Sequence, residues 1–335
     1  MNILFEKLSD AMCFPTLIQI EKNLIVASFT LMKLLPAKFV IEKAIREKHL
    51  TKESSVVETS SGTYALGLGI VCREQGIPYH IVSDPVIDQN LRQQLEYLGG
   101  SVQIVEDPIN GHQVARLNAL KGYLKANPTA FWPRQYDNPD HLLAYHPFAN
   151  QLIAEIGKEF TFIASVGSGS SSSGTIMKLR SHNPNIDLIG VDTFGSILFG
   201  LPNGKRLLRG LGNSILPANL NHSYFDQIHW LSAAQAFRST RELYSKTALY
   251  SGATTGACYQ VAKWLAENNP RRKFVFISAD LGHRYSTELY NDKWMCEKGC
   301  LNEPIVKEPI KIIDQRELDG QNVTWACMNW NRRHL

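Results

Sequence analysis

The sequence predicts an α/β protein built on open parallel sheets flanked by helices, and three observations carry that expectation. Short apolar, β-branched runs alternate with amphipathic runs along most of the chain. At 55–75 and 162–181 a strand-like run passes into a Gly/Ser turn and then into a helix-like run, the arrangement in which α/β sheets place ligands at the carboxyl ends of their strands. The chain has 335 residues, too many for one small core and enough for two α/β lobes.

Taken in order, the apolar runs give strands at Leu24–Ala27, Ser55–Glu58, His80–Ser83, Val102–Val105, Phe162–Val166, Leu188–Asp192 and Phe274–Ser278. The amphipathic runs give helices at Ala37–Glu47, Tyr64–Gln75, Asp88–Leu98, Gln113–Ala126, Pro147–Glu159, Ser173–Ser181, Ala233–Lys246 and Thr255–Asn268. From Cys296 onward the alternation stops, and a polar tail containing Trp325 and Trp330 reads as an appendage.

Composition narrows the function classes. Hydrophobic residues make up 44% and charged residues 20%, an ordinary globular balance. The net charge of +4 is interspersed, which points away from nucleic acid and anionic membranes. Glu6, Asp10 and Pro15 spoil any secretory apolar region near Met1, and Leu24–Leu35 is too short for a bilayer and contains Lys33. The six cysteines sit mostly in apolar contexts, so the expectation is buried free thiols and a cytoplasmic location. Cys296 and Cys300 lie four apart without a second ligand pair, so no metal site is expected.

Four segments could carry chemistry. In Val166-Gly-Ser-Gly-Ser-Ser171-Ser172-Ser173-Gly174-Thr175 a strand runs through small residues into a helix. Unpaired N–H groups at a helix start, with hydroxyls beside them, make an anion site that suits a phosphate. The plain alternative, a flexible Ser/Gly loop, fits less well with a strand before it and a helix after it. The run is neither a Walker loop nor a dinucleotide fingerprint. Glu58-Thr-Ser60-Ser61-Gly62-Thr63 repeats the strand–turn–helix pattern and could hold a carboxylate, although taken alone an ordinary capped helix start is the favoured reading. Ser251-Gly-Ala-Thr254-Thr255 is a third small-residue turn, where a helix cap accounts for either threonine. Lys33 stands among Phe29, Leu31, Met32, Leu34 and Leu35. A buried lysine has a lowered pKa and is a good Schiff-base nucleophile, while a snorkelling lysine at a helix start is the simpler local reading.

In this order the segments resemble fold-type II pyridoxal-phosphate enzymes of the cysteine synthase family, over roughly residues 14–295. Ser60-Ser61-Gly62 resembles the family's Thr-Ser-Gly-Asn loop, which grips the substrate carboxylate, with Thr63 standing where asparagine usually meets the cofactor ring. Ser171–Thr175 falls on its phosphate cup, Gly210-Leu-Gly212 on a turn near the cofactor, and Thr254 on the hydroxyl that faces the pyridine nitrogen. Gln135 matches a glutamine that contacts the substrate carboxylate. Register through Pro36-Ala37-Lys38 places Lys33, not Lys38, at the Schiff-base lysine, after an approach shorter than the family's. Within the family, Pro36–Glu42, Val191–Gly200 and Asp280–Tyr285 with Tyr290–Trp294 are similar to a siderophore-pathway branch that joins O-phosphoserine to an amino-acid amine.

The resemblance implies a two-lobed enzyme with pyridoxal 5'-phosphate in the cleft. Residues 34–140 would form the small mobile lobe, 1–33 with 141–295 the large cofactor lobe, and 296–335 the appendage. It implies a homodimer, amino-acid substrates, Lys33 as Schiff base and general base, and β-elimination followed by β-replacement on an O-activated serine. The nucleophile stays open between an amino-acid amine and sulfur for cysteine synthesis, and a sulfur-carrier protein enters if the donor is a protein thiocarboxylate. A dehydratase-like lyase and a non-catalytic, partner-binding relative are the remaining readings.

Overall fold

The computed structural model describes residues 4–51, 53–106 and 112–335. The strands are β1 (Thr16–Glu21), β2 (Leu24–Ser28), β3 (Val56–Thr59), β4 (Tyr79–Ser83), β5 (Ser101–Ile104), β6 (Thr161–Ser165), β7 (Asp187–Thr193), β8 (Gln227–Leu231), β9 (Phe274–Ser278), β10 (Ile310–Ile312) and β11 (Trp325–Asn329). All seven strands and all eight helices expected from the sequence are present, with ends moved by a few residues.

The chain forms two compact units. The smaller contains the segment ending at Phe14 together with Leu31–Ala144, and the larger contains Pro15–Thr30 and Tyr145–Leu335. This divides the chain differently from the sequence reading, because Lys33 and the residues up to 144 pack with the smaller unit.

The smaller unit holds a parallel sheet in the order β3-β4-β5. The Leu34–Arg46 helix and the Thr63–Gln75 helix pack together, burying Leu34, Ala37, Ile41, Ala65 and Leu68 in one cluster. Pro36 fits the first turn of the Leu34–Arg46 helix, where its missing N–H removes no intrahelical bond. Gly67 is needed for this packing. A Cβ there would lie 2.9 Å from the Lys33 carbonyl oxygen, so the helix can press onto the Lys33 backbone only without a side chain.

The larger unit is an eight-stranded sheet in the order β1-β2-β9-β6-β7-β8-β11-β10. Strands β2, β9, β6, β7 and β8 are parallel neighbours in that sequence. The central β6 and β9 are buried at every position, which is why they read as continuous apolar runs rather than as alternation.

The tail is not an appendage. β11 pairs antiparallel with β8, and β10 adds to β11. Trp325 and Trp330 are 2% and 0% exposed, so the tail docks through both of its tryptophans. At this seam Trp325 donates its indole N–H to Nδ1 of the fully buried His229 at 3.1 Å. Burial lowers the His229 pKa from 6.5 to about 3. Above pH 6.5 the ring is neutral in folded and unfolded chains and stability is indifferent to it. Between pH 6.5 and 3 only the unfolded chain takes the proton, so stability falls by about 1.4 kcal/mol per pH unit. His229→Gln removes this term. The urea-midpoint advantage of the native chain over that variant is therefore expected to shrink from pH 7 to pH 4, and a constant difference would refute the assignment.

Candidate active site

In the smaller unit Lys33 directly precedes the Leu34–Arg46 helix and makes no side-chain cap to it. The residue is half-buried, but protein surrounds its amine. Burial lowers its pKa from 10.5 to about 8, against a smaller opposing pull from the Glu58 carboxylate. Lys38 is the opposite case. Its ammonium pairs with Asp10 and Glu42, each at 2.7 Å, and its pKa is raised. Of the two lysines in the motif, Lys33 is the one chemically prepared to act as a neutral amine.

Glu58 lies within the fully buried β3 and is 0% exposed. Its carboxylate accepts from Thr59 N at 2.7 Å, Trp132 Nε1 at 3.1 Å and Gln135 N at 3.1 Å. Desolvation outweighs these three donors and pushes its pKa up to about 7. Gln135 also donates its side-chain N–H to the Thr59 carbonyl at 2.6 Å. Glu58 and Gln135 thus pin the base of the Ser60–Thr63 turn. Ser60 N bonds Val82 O at 3.2 Å, and Gly62 N bonds Ser60 Oγ at 3.2 Å. Gly62 precedes the Thr63–Gln75 helix without a side-chain cap, and space beside it is open.

A cation stands beside this turn. Arg116, 7% exposed, donates to Ser61 Oγ at 3.2 Å and pairs with the buried Asp84 at 3.1 Å. It also bonds the Tyr136 hydroxyl. Its Nε is buried with no acceptor. A buried guanidinium with a donor left over suits an additional anion.

In the larger unit the Ser170–Arg180 helix follows β6 through Gly169, which adopts φ +80°. The hydroxyls divide into two groups. Ser172 donates to the Gly169 carbonyl at 3.0 Å, and Ser173 accepts from Asn221 N at 3.2 Å, so both build the turn. Thr175 Oγ1 is buried without a partner. With the unpaired first-turn N–H groups of a helix start, this orphaned hydroxyl fits a phosphate.

The same unit brings the other expected segments to this helix start. Gly212 N bonds the Val166 carbonyl at 2.8 Å, and a Cβ on Gly210 would lie 3.5 Å from Thr254 Cγ2. Gly212, at φ +73°, has no room for a Cβ, which would come within 2.6 Å of Ser196. Neither threonine caps the Ala253–Asn268 helix, whose N-cap is Gly252. Thr255 donates to Ser278 Oγ at 3.0 Å, while Thr254 is the second residue of the helix and 6% exposed.

These features fit pyridoxal phosphate: a deprotonatable lysine, an anion cradle with an orphaned hydroxyl, and glycine turns that admit no side chain. A family profile described as pyridoxal-phosphate dependent enzyme matches residues 28–280. The chain belongs to that family. Among curated relatives of this pyridoxal-phosphate enzyme, an N-(2-amino-2-carboxyethyl)-L-glutamate synthase from Ralstonia nicotianae is 28% identical over 268 residues, 78% of each protein. A protein of the same name from Cupriavidus metallidurans is 27% identical over 271 residues, 78% of this chain and 79% of that one. Among solved structures, a hydrogen sulfide-producing enzyme from Fusobacterium nucleatum is 26% identical with a TM-score of 0.78, covering 85% of this chain and 99% of that one. The fold is also that of an O-acetylserine-dependent cystathionine beta-synthase from Helicobacter pylori, at 23% identity and TM-score 0.79, covering 86% and 99%.

The described residues contain no group of three or more His, Cys, Asp or Glu side chains that could hold a metal ion, and no helix long and apolar enough to cross a membrane. Sequence reasoning missed Glu58, Arg116 and Asp84 as members of this site. Glu58 left a signal, a lone acid closing the run Val56-Val57. Arg116 left none, since an arginine in an amphipathic helix reads as surface.

Proposed function

We propose that this enzyme replaces the leaving group on Cβ of an O-activated serine, O-phosphoserine or O-acetylserine, with an amino-acid amine, giving a diaminopropionate precursor. Pyridoxal phosphate, when bound, supplies the electron sink for charge developing at Cα. Lys33 would be the residue that attaches it, and its amine would serve as the general base for the Cα proton. With a pKa of about 8, roughly a quarter of Lys33 amines are neutral at pH 7.5, against about one in a thousand at the ordinary value. The Ser60 and Ser61 hydroxyls and the start of the Thr63–Gln75 helix hold the substrate carboxylate, with Gln135 stiffening the turn. The helix start at Ser171–Thr175 would hold the phosphate. Thr254 would offer the cofactor ring a neutral hydroxyl rather than a carboxylate, which would favour prompt departure of the leaving group.

The observation behind the choice of nucleophile is Arg116, a buried guanidinium at Ser61 with an unused donor. Sulfide needs no such group, whereas a glutamate-like amine brings a carboxylate that does, and both curated relatives carry glutamate in their names. Mass spectrometry of products from O-phosphoserine or O-acetylserine, each with L-glutamate, other amino acids or sulfide, tests this. The expected product is N-(2-amino-2-carboxyethyl)-L-glutamate or a close analogue. Cysteine as the dominant product would overturn the reading.

The phosphate assignment has its own test. A Cβ on Gly169 would sit 2.6 Å from Leu220 Cα at a φ that side chains rarely adopt, so Gly169→Ala must shift the helix start. Each charge-assisted hydrogen bond contributes about 1.5–3 kcal/mol. Loss of one weakens cofactor binding roughly tenfold to a hundredfold, readable by equilibrium dialysis. Unaltered retention would remove the helix start from the phosphate site.

A further inference from the structure

Lys33 has a neighbour that the reaction as described does not use. The Tyr64 ring lies against its ammonium, with Nζ 5.9 Å from the ring centroid. Tyr64 is 1% exposed, and its hydroxyl is 2.7 Å from His141 Nε2. His141, also 1% exposed, has Nδ1 3.2 Å from the Asn138 carbonyl. A carbonyl only accepts, so Nδ1 carries the proton and Nε2 accepts from Tyr64. The ring is thereby tied at its hydroxyl, through His141, to the Asn138 backbone.

We propose that Tyr64 is a positioning residue for Lys33: its ring face, anchored by His141, holds the amine in place and stabilises the ammonium that forms when Lys33 takes the Cα proton. The inference rests on the reading of Lys33 as Schiff base and general base. The physical need is clear. In that step a neutral amine becomes a cation within protein, where desolvation opposes the charge. Among the described residues of this unit, the charged or titratable side chains around it include Glu58 on β3, Tyr64 on the Thr63–Gln75 helix and His141 on the Asp140–Leu143 helix. Glu58 is attractive but itself pushed up to about 7. His141 is held neutral by burial and by Lys33, at about 3, so it does not compete as a second cation. The Tyr64 ring face attracts a cation without requiring a counter-charge.

The test is the pH dependence of cofactor rebinding. The full chain is freed of pyridoxal phosphate with hydroxylamine, and the rate of visible-band recovery on adding pyridoxal phosphate is followed against pH. Attachment needs the neutral amine, so the rate rises through a midpoint set by Lys33. Position 64 is replaced by phenylalanine and then by mono-, di- and trifluorophenylalanine, which drain the ring face at nearly constant volume. The expected result is a stepwise fall of the midpoint, totalling roughly half a pH unit or more across the series. His141→Asn, which frees the ring, should scatter the amine and slow attachment at all pH values while the ring at 64 is unchanged. A midpoint that ignores fluorination overturns the proposal, because a purely structural role depends on shape alone. Borohydride reduction and peptide mapping accompany each variant. Label on a residue other than Lys33 rejects the underlying reading, and label on Lys33 with an unmoved midpoint rejects only the role of Tyr64.

Discussion

Lys33→Ala is expected to leave a folded chain that binds pyridoxal phosphate without a covalent bond and turns over about 10²–10⁴ times more slowly. Folding should survive because the Lys33 side chain does not cap the Leu34–Arg46 helix, and removing a partly desolvated amine relieves a cost rather than creating one. Two measurements check it. Borohydride reduction should fix the cofactor to the native chain and not to the variant, and a small exogenous amine should restore part of the proton-transfer rate. The ion-paired Lys38 cannot substitute, since Asp10 and Glu42 hold its proton. A variant that still carries reducible cofactor on Lys38 would show that the lysine assignment is wrong.

Arg116→Ala should produce the second largest effect, in two separable parts. One is stability. Asp84, 4% exposed, would lose its counter-charge, and stranding a buried charge costs about 3–5 kcal/mol. Pairing Arg116→Ala with Asp84→Asn removes the stranded charge and should recover most of that loss. The other part is catalysis. In the double variant the KM for an anionic amine should rise by about 10²-fold, the scale of a lost charge-assisted contact, while turnover with sulfide as nucleophile changes little. Equal losses with both nucleophiles would mean that Arg116 only supports the Ser61 turn and does not meet the second substrate.

The fold was readable because its signal is local. Parallel strands buried on both faces, such as β6 and β9, advertise themselves as apolar runs, and helices advertise period and caps. Two of the strands that escaped reading, β8 and β11, owe their burial to a distant partner. β8 contains Gln227 and His229, and β11 contains Cys327 and Asn329, so neither looks like a strand until the two are paired. The site followed the same rule. Small-residue turns ahead of helices were visible at Ser60–Gly62, Ser171–Thr175 and Thr254, because backbone chemistry leaves a mark in composition. Which hydroxyl is committed to structure was not visible, since Ser172, Ser173 and Thr255 are spent on partners 3 to 48 residues away. Arg116, Tyr64 and His141 were invisible for the same reason. Their meaning lies in what they touch, and those contacts join separate elements.

The order of strands in the larger sheet also constrains how the chain is made. β2 leaves the ribosome well before its parallel partner β9, at Phe274–Ser278, has been made. Asn23, just ahead of β2, waits equally long for the carbonyls of Ala266, Asn269 and Arg272 that its side chain bonds. Until then the apolar edge of Leu24-Ile-Val-Ala has no native strand to meet on that side. The Leu31–Ala144 portion carries its own sheet and needs nothing downstream of Ala144 to complete it. Vectorial synthesis therefore favours a nascent chain with one finished unit and one strand exposed along an edge, a species prone to aggregate. Pairings this distant in sequence are slow to close. Yield of active protein should accordingly depend on elongation speed and chaperone supply more than on the equilibrium stability of the finished fold.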